Sequence, residues 1–403
     1  MKKAMLVFLL FVLPLSACSR SAEGQRDKYY ESGLKYLEEN RYEEASIQFR
    51  NALRDDNDHI PSYLGIAEAL RNMGDHRNAI ASYQQVIRLD GRNIEAKLEL
   101  GDYLLASGIG NPDFFKQARQ MAEDVLAIEP ENVEAFILLG NAFAGQDETD
   151  PAIEAYQKAL SLDPVNLRAT MNLAAAMFRK GEVDKAEAMF KQAIEKHPEA
   201  IEARLAIAAF FASTKRPQET EKYLKEAFNL NPADARSISS LTSFYMSANR
   251  LVEAEAVLSE AIAREPKEAG PRLGLADFYF RQGRTEMGIE QLEEALKINP
   301  GNRNALVRLI EIAFRRNELE KADGHINALL AANRNDAQAH YFRGVLLRRN
   351  QKPDEALKSF ETAIGLNASL MDAYLEKANL LLIRGDLDGS EETLREALKQ
   401  NNE

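Results

Sequence analysis

Small residues recur along this chain at an almost constant interval: Ala45, Ala79, Ala118, Ala152, Ala186, Thr220, Ala254, Gly288, Ala322, Ala356 and Ser390. Every step is 34 residues except the one from Ala79 to Ala118, which is 39. A unit of this size cannot bury its own apolar face and must stack on its neighbours. The chain therefore reads as one array of helical pairs rather than several globular domains, with its function on a surface.

With the recurring residue numbered as position 20, repeats start at 26, 60, 94, 133, 167, 201, 235, 269, 303, 337 and 371. Position 8 is then also small in most units, as at Gly33, Ala67, Gly140 and Gly344, and position 24 is large and apolar, as at Phe49, Tyr156 and Phe360. Small residues facing each other on two helices let the backbones approach, and the larger side chains fill the space around that contact. Position 15 is Asn40, Gly74, Gly108, Gly181, Asn249, Gly283, Asn317 and Gly385 in eight units, residues that tolerate the left-handed conformation ending a helix. Position 32 is proline in six consecutive units, from Pro130 to Pro300, which stops the second helix.

This pattern resembles the tetratricopeptide repeat, a helix-turn-helix unit of 34 residues. The resemblance implies an all-α, right-handed superhelical solenoid of eleven repeats over residues 26–403. The chain departs from the family in lacking any tryptophan, in Ala122 at position 24, and in the absent proline of repeats nine to eleven. Ile310 and Leu329 at the small positions of repeat nine predict different packing there, with a local kink.

The N-terminus adds a second constraint. Lys2 and Lys3 precede an apolar run from Ala4 to Leu15, a tripartite secretory signal too short for a transmembrane helix. Leu15-Ser16-Ala17-Cys18 resembles the lipobox of bacterial lipoproteins, which implies cleavage of residues 1–17 and acylation of Cys18, the sole cysteine. Several buried acyl chains would hold the protein on a membrane. Ser19, where the family's inner-membrane signal has Asp, implies the outer membrane facing the periplasm. Residues 18–25 read as the acylated cysteine and a short linker.

The chain has net charge −12, which becomes −14 once the two lysines of the signal are removed. This excludes a general nucleic-acid binder, which needs a basic field. The five histidines fall at unrelated repeat positions, with no metal-binding cluster, phosphate loop or nucleophile elbow, so neither a metal, a cofactor nor catalysis is expected.

In the family the binding groove is lined by positions 2, 5, 9, 12 and 13 of each first helix. Positions 12 and 13 here give Phe178-Arg179, Phe280-Arg281, Phe314-Arg315 and Arg348-Arg349. An aromatic and cationic strip of this kind suits carboxylates, an acidic peptide or an anionic polysaccharide. The competing reading is that each Arg serves the negative end of its helix and each Phe packs beneath the next unit. Two known groove chemistries fail: Ile137, Glu202 and Ala206 stand where a carboxylate clamp needs cations, and position 6 carries no asparagine ladder.

The extra residues of repeat three fall in its inter-helix turn, between Ser107 and Phe115. Phe114 and Phe115 read either as an exposed partner hook or as a pair tucked onto the following helix. Leu382 and Ile383, near the C-terminus, are expected to face solvent, a partner or a further domain. The reading that unites these features is a lipid-anchored scaffold that binds envelope proteins. It resembles repeat-rich lipoproteins that accompany exopolysaccharide export and surface-protein sorting, with polysaccharide guidance and pilus or secretin assembly as the alternatives.

Overall fold

The computed structural model describes the backbone of residues 16–107 and 111–401 and the side chains of 23–107 and 111–400. Among the described residues there are only helices and their connections, arranged as an all-α repeat solenoid of consecutive pairs. The first members are α1 (Ser16–Glu38), α3 (Ile60–Met73), α5 (Ile94–Ser107), α7 (Val133–Gly145), α9 (Leu167–Arg179), α11 (Ile201–Ser213), α13 (Ala235–Ser247), α15 (Gly270–Arg281), α17 (Arg303–Arg315), α19 (Ala337–Arg349) and α21 (Met371–Ile383). Their partners are α2 (Tyr42–Asp55), α4 (His76–Leu89), α6 (Pro112–Ile128), α8 (Thr149–Leu162), α10 (Val183–Lys196), α12 (Pro217–Leu230), α14 (Leu251–Arg264), α16 (Thr285–Ile298), α18 (Leu319–Ala332), α20 (Pro353–Leu366) and α22 (Leu387–Asn401).

The single array expected from the period divides into two compact units, Met1–Ile207 and Ala208–Glu403, with the boundary inside α11. In a stack where each repeat touches only its neighbours, no contact ties distant repeats together, so contacts can thin at any point along the array. The segment 18–25, expected as a linker, also differs: α1 begins at Ser16 and runs through it. Ala22, Glu23, Gln25 and Arg26 are good helix formers, and they carry the helix back from the first repeat. Residues 1–15, which hold most of the expected signal, lie outside the described residues. Among the described residues no helix is long and apolar enough to cross a membrane.

The core of each pair follows from the small positions. The Phe49 ring is fully buried against Gly33 of α1 and Gly65 of α3, and any side chain at either glycine would collide with it. Tyr156 lies on Gly140 and Phe360 on Gly344 in the same way. In repeat nine, Ile310 and Leu329 are fully buried beside Phe342 and Phe360, and α17 runs unbroken around Ile310.

The turn between the helices of a pair requires one left-handed residue. Asn40, Gly74, Gly181, Asn249, Gly283, Asn317 and Gly385 all have positive φ, while Gly108 lies outside the described residues. The equivalent positions Asp147, Lys215 and Gln351 adopt the same conformation despite their side chains, with φ of 60°, 58° and 59°. Packing of the two helices therefore dictates the turn, and residue type only eases it.

Candidate functional site

In the second unit, α13 and α15 leave a cleft of about 260 Å³ between them. Its walls are small or apolar, with Ile238, Ser239, Ser243 and Met246 on α13 and Pro271, Gly274 and Phe278 on α15, and Leu258 of α14 backs Gly274. The absent side chain of Gly274 and the short serines are what open it. Asp277 and Arg281 stand one turn apart in its lining. Thr242 also lines it, and the Thr242 hydroxyl is buried without a hydrogen-bond partner.

The aromatic and cationic strip separates into two classes of residue. Arg281 and Arg315 are exposed, and neither has a hydrogen bond or ion pair among the described residues. Phe280 is half-buried against Gly288, with the Arg308 guanidinium 5.5 Å from its ring centre and Arg308 in turn 3.6 Å from Asp277. Thr285, Ile312, Arg315 and Arg316 surround the same surface.

The remaining members have partners within the fold. Arg349 Nη1 donates to the carbonyl of Phe314 at 2.7 Å, and its guanidinium covers the Phe314 ring. Arg179 Nη1 makes the equivalent bond to Ala144, also at 2.7 Å, within the first unit. Each arginine thus satisfies a carbonyl in the last turn of the preceding first helix, where intrahelical partners run out. Phe314 is buried against Phe342, and Phe178 is half-buried. Arg348 faces Glu376, with Nε 2.9 Å from Oε2 but out of hydrogen-bond alignment, while Nη2 donates to Oε1 at 3.3 Å. Of the arginines in the strip read from the sequence, Arg281 and Arg315 are thus the two without a hydrogen bond or ion pair among the described residues.

Phe114 and Phe115 are not an exposed hook. Asn111 caps α6 by accepting from the Asp113 amide, Pro112 opens the helix, and both phenylalanines lie in its first turns. α6 has 17 residues against 14 in α4 and α8, so part of the insertion lengthens the helix. Phe114 packs on the core around Leu104 and Ala118, and Phe115 covers Gly145.

One feature of the second unit escaped sequence reasoning. Tyr245 donates to Glu221 at 2.8 Å, Arg250 Nη1 to the same carboxylate at 2.6 Å, and Lys225 lies 2.7 Å away. Tyr279, Glu255 and Arg284 repeat the arrangement one unit later, at 2.7 and 2.8 Å. The Arg250 hydrogen bond, opposed by burial and helped by Lys225 and Tyr245, holds the Glu221 carboxyl at about 2. Burial, then the Glu255 carboxylate, pushes the Tyr279 hydroxyl up to about 12. The signal was the spacing itself, Tyr at position 11, Arg at 16 and Glu at 21 of the preceding repeat.

Among the described residues no cluster of His, Cys, Asp and Glu is arranged to hold a metal ion. The Cys18 backbone belongs to α1, and its side chain lies outside the described set.

Comparison with known proteins gives matches of one kind. The family described as the cilia and flagella-associated protein 70 C-terminal domain matches residues 111–345, and tetratricopeptide repeat families match 344–403 and 60–93. Comparison with curated protein sequences gives no match. Among solved structures, MamA from Desulfovibrio magneticus RS-1 (residue 41 to its end) is 26% identical with a TM-score of 0.40, covering 43% of this chain and 96% of its own. The Pseudomonas aeruginosa pilF protein is 18% identical with a TM-score of 0.43, covering 56% and 99%. TTC0263, a thermophilic repeat protein of Thermus thermophilus, is 20% identical with a TM-score of 0.41, covering 46% and 99%.

Proposed function

The chain belongs to the tetratricopeptide repeat family, and from that premise we propose that it is a non-catalytic scaffold whose second unit docks a protein partner in the cleft between α13 and α15. The observation that carries this reading is the pairing of an apolar cleft with the unengaged Arg281 in its lining and Arg315 on a neighbouring first helix. An apolar side chain of the partner enters beside Met246 and Phe278, and a carboxylate meets Arg281. The apolar lining favours a protein segment over an anionic polysaccharide, whose hydroxyls would lose water there without compensation.

The scaffold is tethered to the cell envelope by acyl chains on Cys18, outer membrane facing periplasm. Support for the tether is the signal-like run ending in Leu15-Ser16-Ala17-Cys18. Cys18→Ala tests it: the protein moves from the membrane to the soluble fraction and the mature chain loses its acyl mass. Unchanged fractionation and mass would remove the tether from the account.

Docking is tested by affinity capture from crosslinked cells, comparing wild type with Arg281→Glu/Arg315→Glu. The expected result is loss of a defined partner set at unchanged melting temperature. An unchanged set would return both arginines to a solvated surface.

A further inference from the structure

We propose that the groove formed by α1, α3 and α5 of the first unit is a second docking site, for a partner segment in which lysine or arginine is interleaved with apolar side chains. It is independent of the cleft in the second unit and opposite to it in charge.

The groove holds about 480 Å³ and has an apolar floor, in which Tyr30 and Leu37 of α1 and Leu64 of α3 are half-buried. Leu34 remains 39% exposed and Pro61 is exposed beside it. Covering these side chains removes apolar surface from water, the main gain in most associations. The rim is acidic, with Glu68 from α3 and Glu95 and Glu99 from α5. The three converge on one place: burial raises the Tyr83 hydroxyl to about 12, and the fields of Glu99, Glu68 and Glu95 add to that rise against Arg71. Arg71 is committed to Glu99 at 2.8 Å. Glu68 and Glu95 are left without a side-chain hydrogen bond or ion pair among the described residues, so the rim keeps an uncompensated negative field. Farther along, Arg168 is already shared by Asp102 and Glu134.

This charge selects the occupant. An acidic peptide or an anionic lipid surface meets like charge here, whereas a lysine or arginine lays its alkyl stem on the leucine floor and reaches the rim carboxylates with its head. No cluster among the described residues offers the geometry of a metal site instead. The apolar floor requires hydrophobic residues between the cations.

The test titrates the full chain, purified in detergent, with two short labelled peptides, one of leucine and lysine and one of leucine and glutamate, read by fluorescence anisotropy. The leucine–lysine peptide is expected to bind, with Glu68→Gln/Glu95→Gln weakening it about tenfold. Glu195→Gln/Glu199→Gln, which removes the same charge from exposed positions of α10 and the loop after it, is expected to change affinity by less than about twofold. Leu34→Ser, a variant with no change of charge, should also weaken the complex. No binding, equal loss in the two glutamate pairs, or equal affinity for the leucine–glutamate peptide in the Arg281→Glu/Arg315→Glu background would overturn the proposal.

Discussion

The two units use one packing scheme and carry opposite grooves. Phe49 fills the space between Gly33 and Gly65 in the first as Phe360 fills that beside Gly344 in the second. Their groove residues diverge, with Glu68, Glu95 and Glu99 around the single cation Arg71 in the first, against Arg281, Arg308 and Arg315 around the single carboxylate Asp277 in the second. Positions that hold the helices together are constrained by volume, so the same residue types return. Groove positions are constrained only by what they meet, so their charge is free to invert along one chain whose net charge is −12.

The largest expected effect tests whether the units are separate. Phe49→Ala and Phe360→Ala should each cost about 3–5 kcal/mol, with hydrogen exchange accelerating chiefly in the unit that carries the change. Even loss along the whole chain would dissolve the division at α11. Overpacking by Ala254→Leu, about 1–3 kcal/mol at a fully buried small position, should likewise spare the first unit.

A smaller effect distinguishes the units by acid. Glu221 sits at about 2 when folded against an ordinary 4.5, so its network stabilises the second unit fully above pH 4.5 and is lost as pH falls from there toward 2. Glu221→Gln should cost on the order of 1–2 kcal/mol at neutral pH and flatten the pH dependence of unfolding in that window. An unaltered acid limb would show that the network contributes nothing.

Arg281→Glu/Arg315→Glu should weaken an acidic apolar peptide roughly tenfold, about 1.4 kcal/mol, while leaving a basic one unchanged. The smallest effects are at the strained turns. Lys215→Gly or Gln351→Gly should stabilise the second unit, and Asp147→Gly the first, by about 0.5–1 kcal/mol each, since a non-glycine residue is forced left-handed there. Thermal melts of the three single variants check this, and a loss of stability would mean that side-chain contacts outweigh the strain.

The sequence carried the fold plainly because stacking repeats one physical problem, and Gly33, Ala67 and Gly140 solve it with the same small residue each time. The candidate site was less legible. Arg at position 13 caps a neighbouring helix at Arg179 and Arg349 and stands free at Arg281 and Arg315, and the residue type is identical in both roles. Only the reach to a carbonyl of the preceding repeat separates them. Phe114 and Phe115 were ambiguous for a different reason: Asn111-Pro112 is a helix-start signal in the sequence, but where the two rings pack depends on Leu104, Ala118 and Gly145, which only the fold brings to them. The cleft beside Met246 was less legible still: positions 5 and 9 belong to the family's groove, but that Ser239, Ser243 and Gly274 leave an opening there shows only when α13 and α15 are side by side.

The most direct test of opposed grooves is photo-crosslinking of the two peptides, each carrying a central photoreactive group, to the full chain, with crosslinked residues mapped by mass spectrometry. The account predicts that the leucine–glutamate peptide marks α13 and α15 around Met246 and Arg281, and that the leucine–lysine peptide marks α1 and α3 around Leu34 and Leu64. Both peptides marking one groove, or marks scattered over other helices, would contradict it.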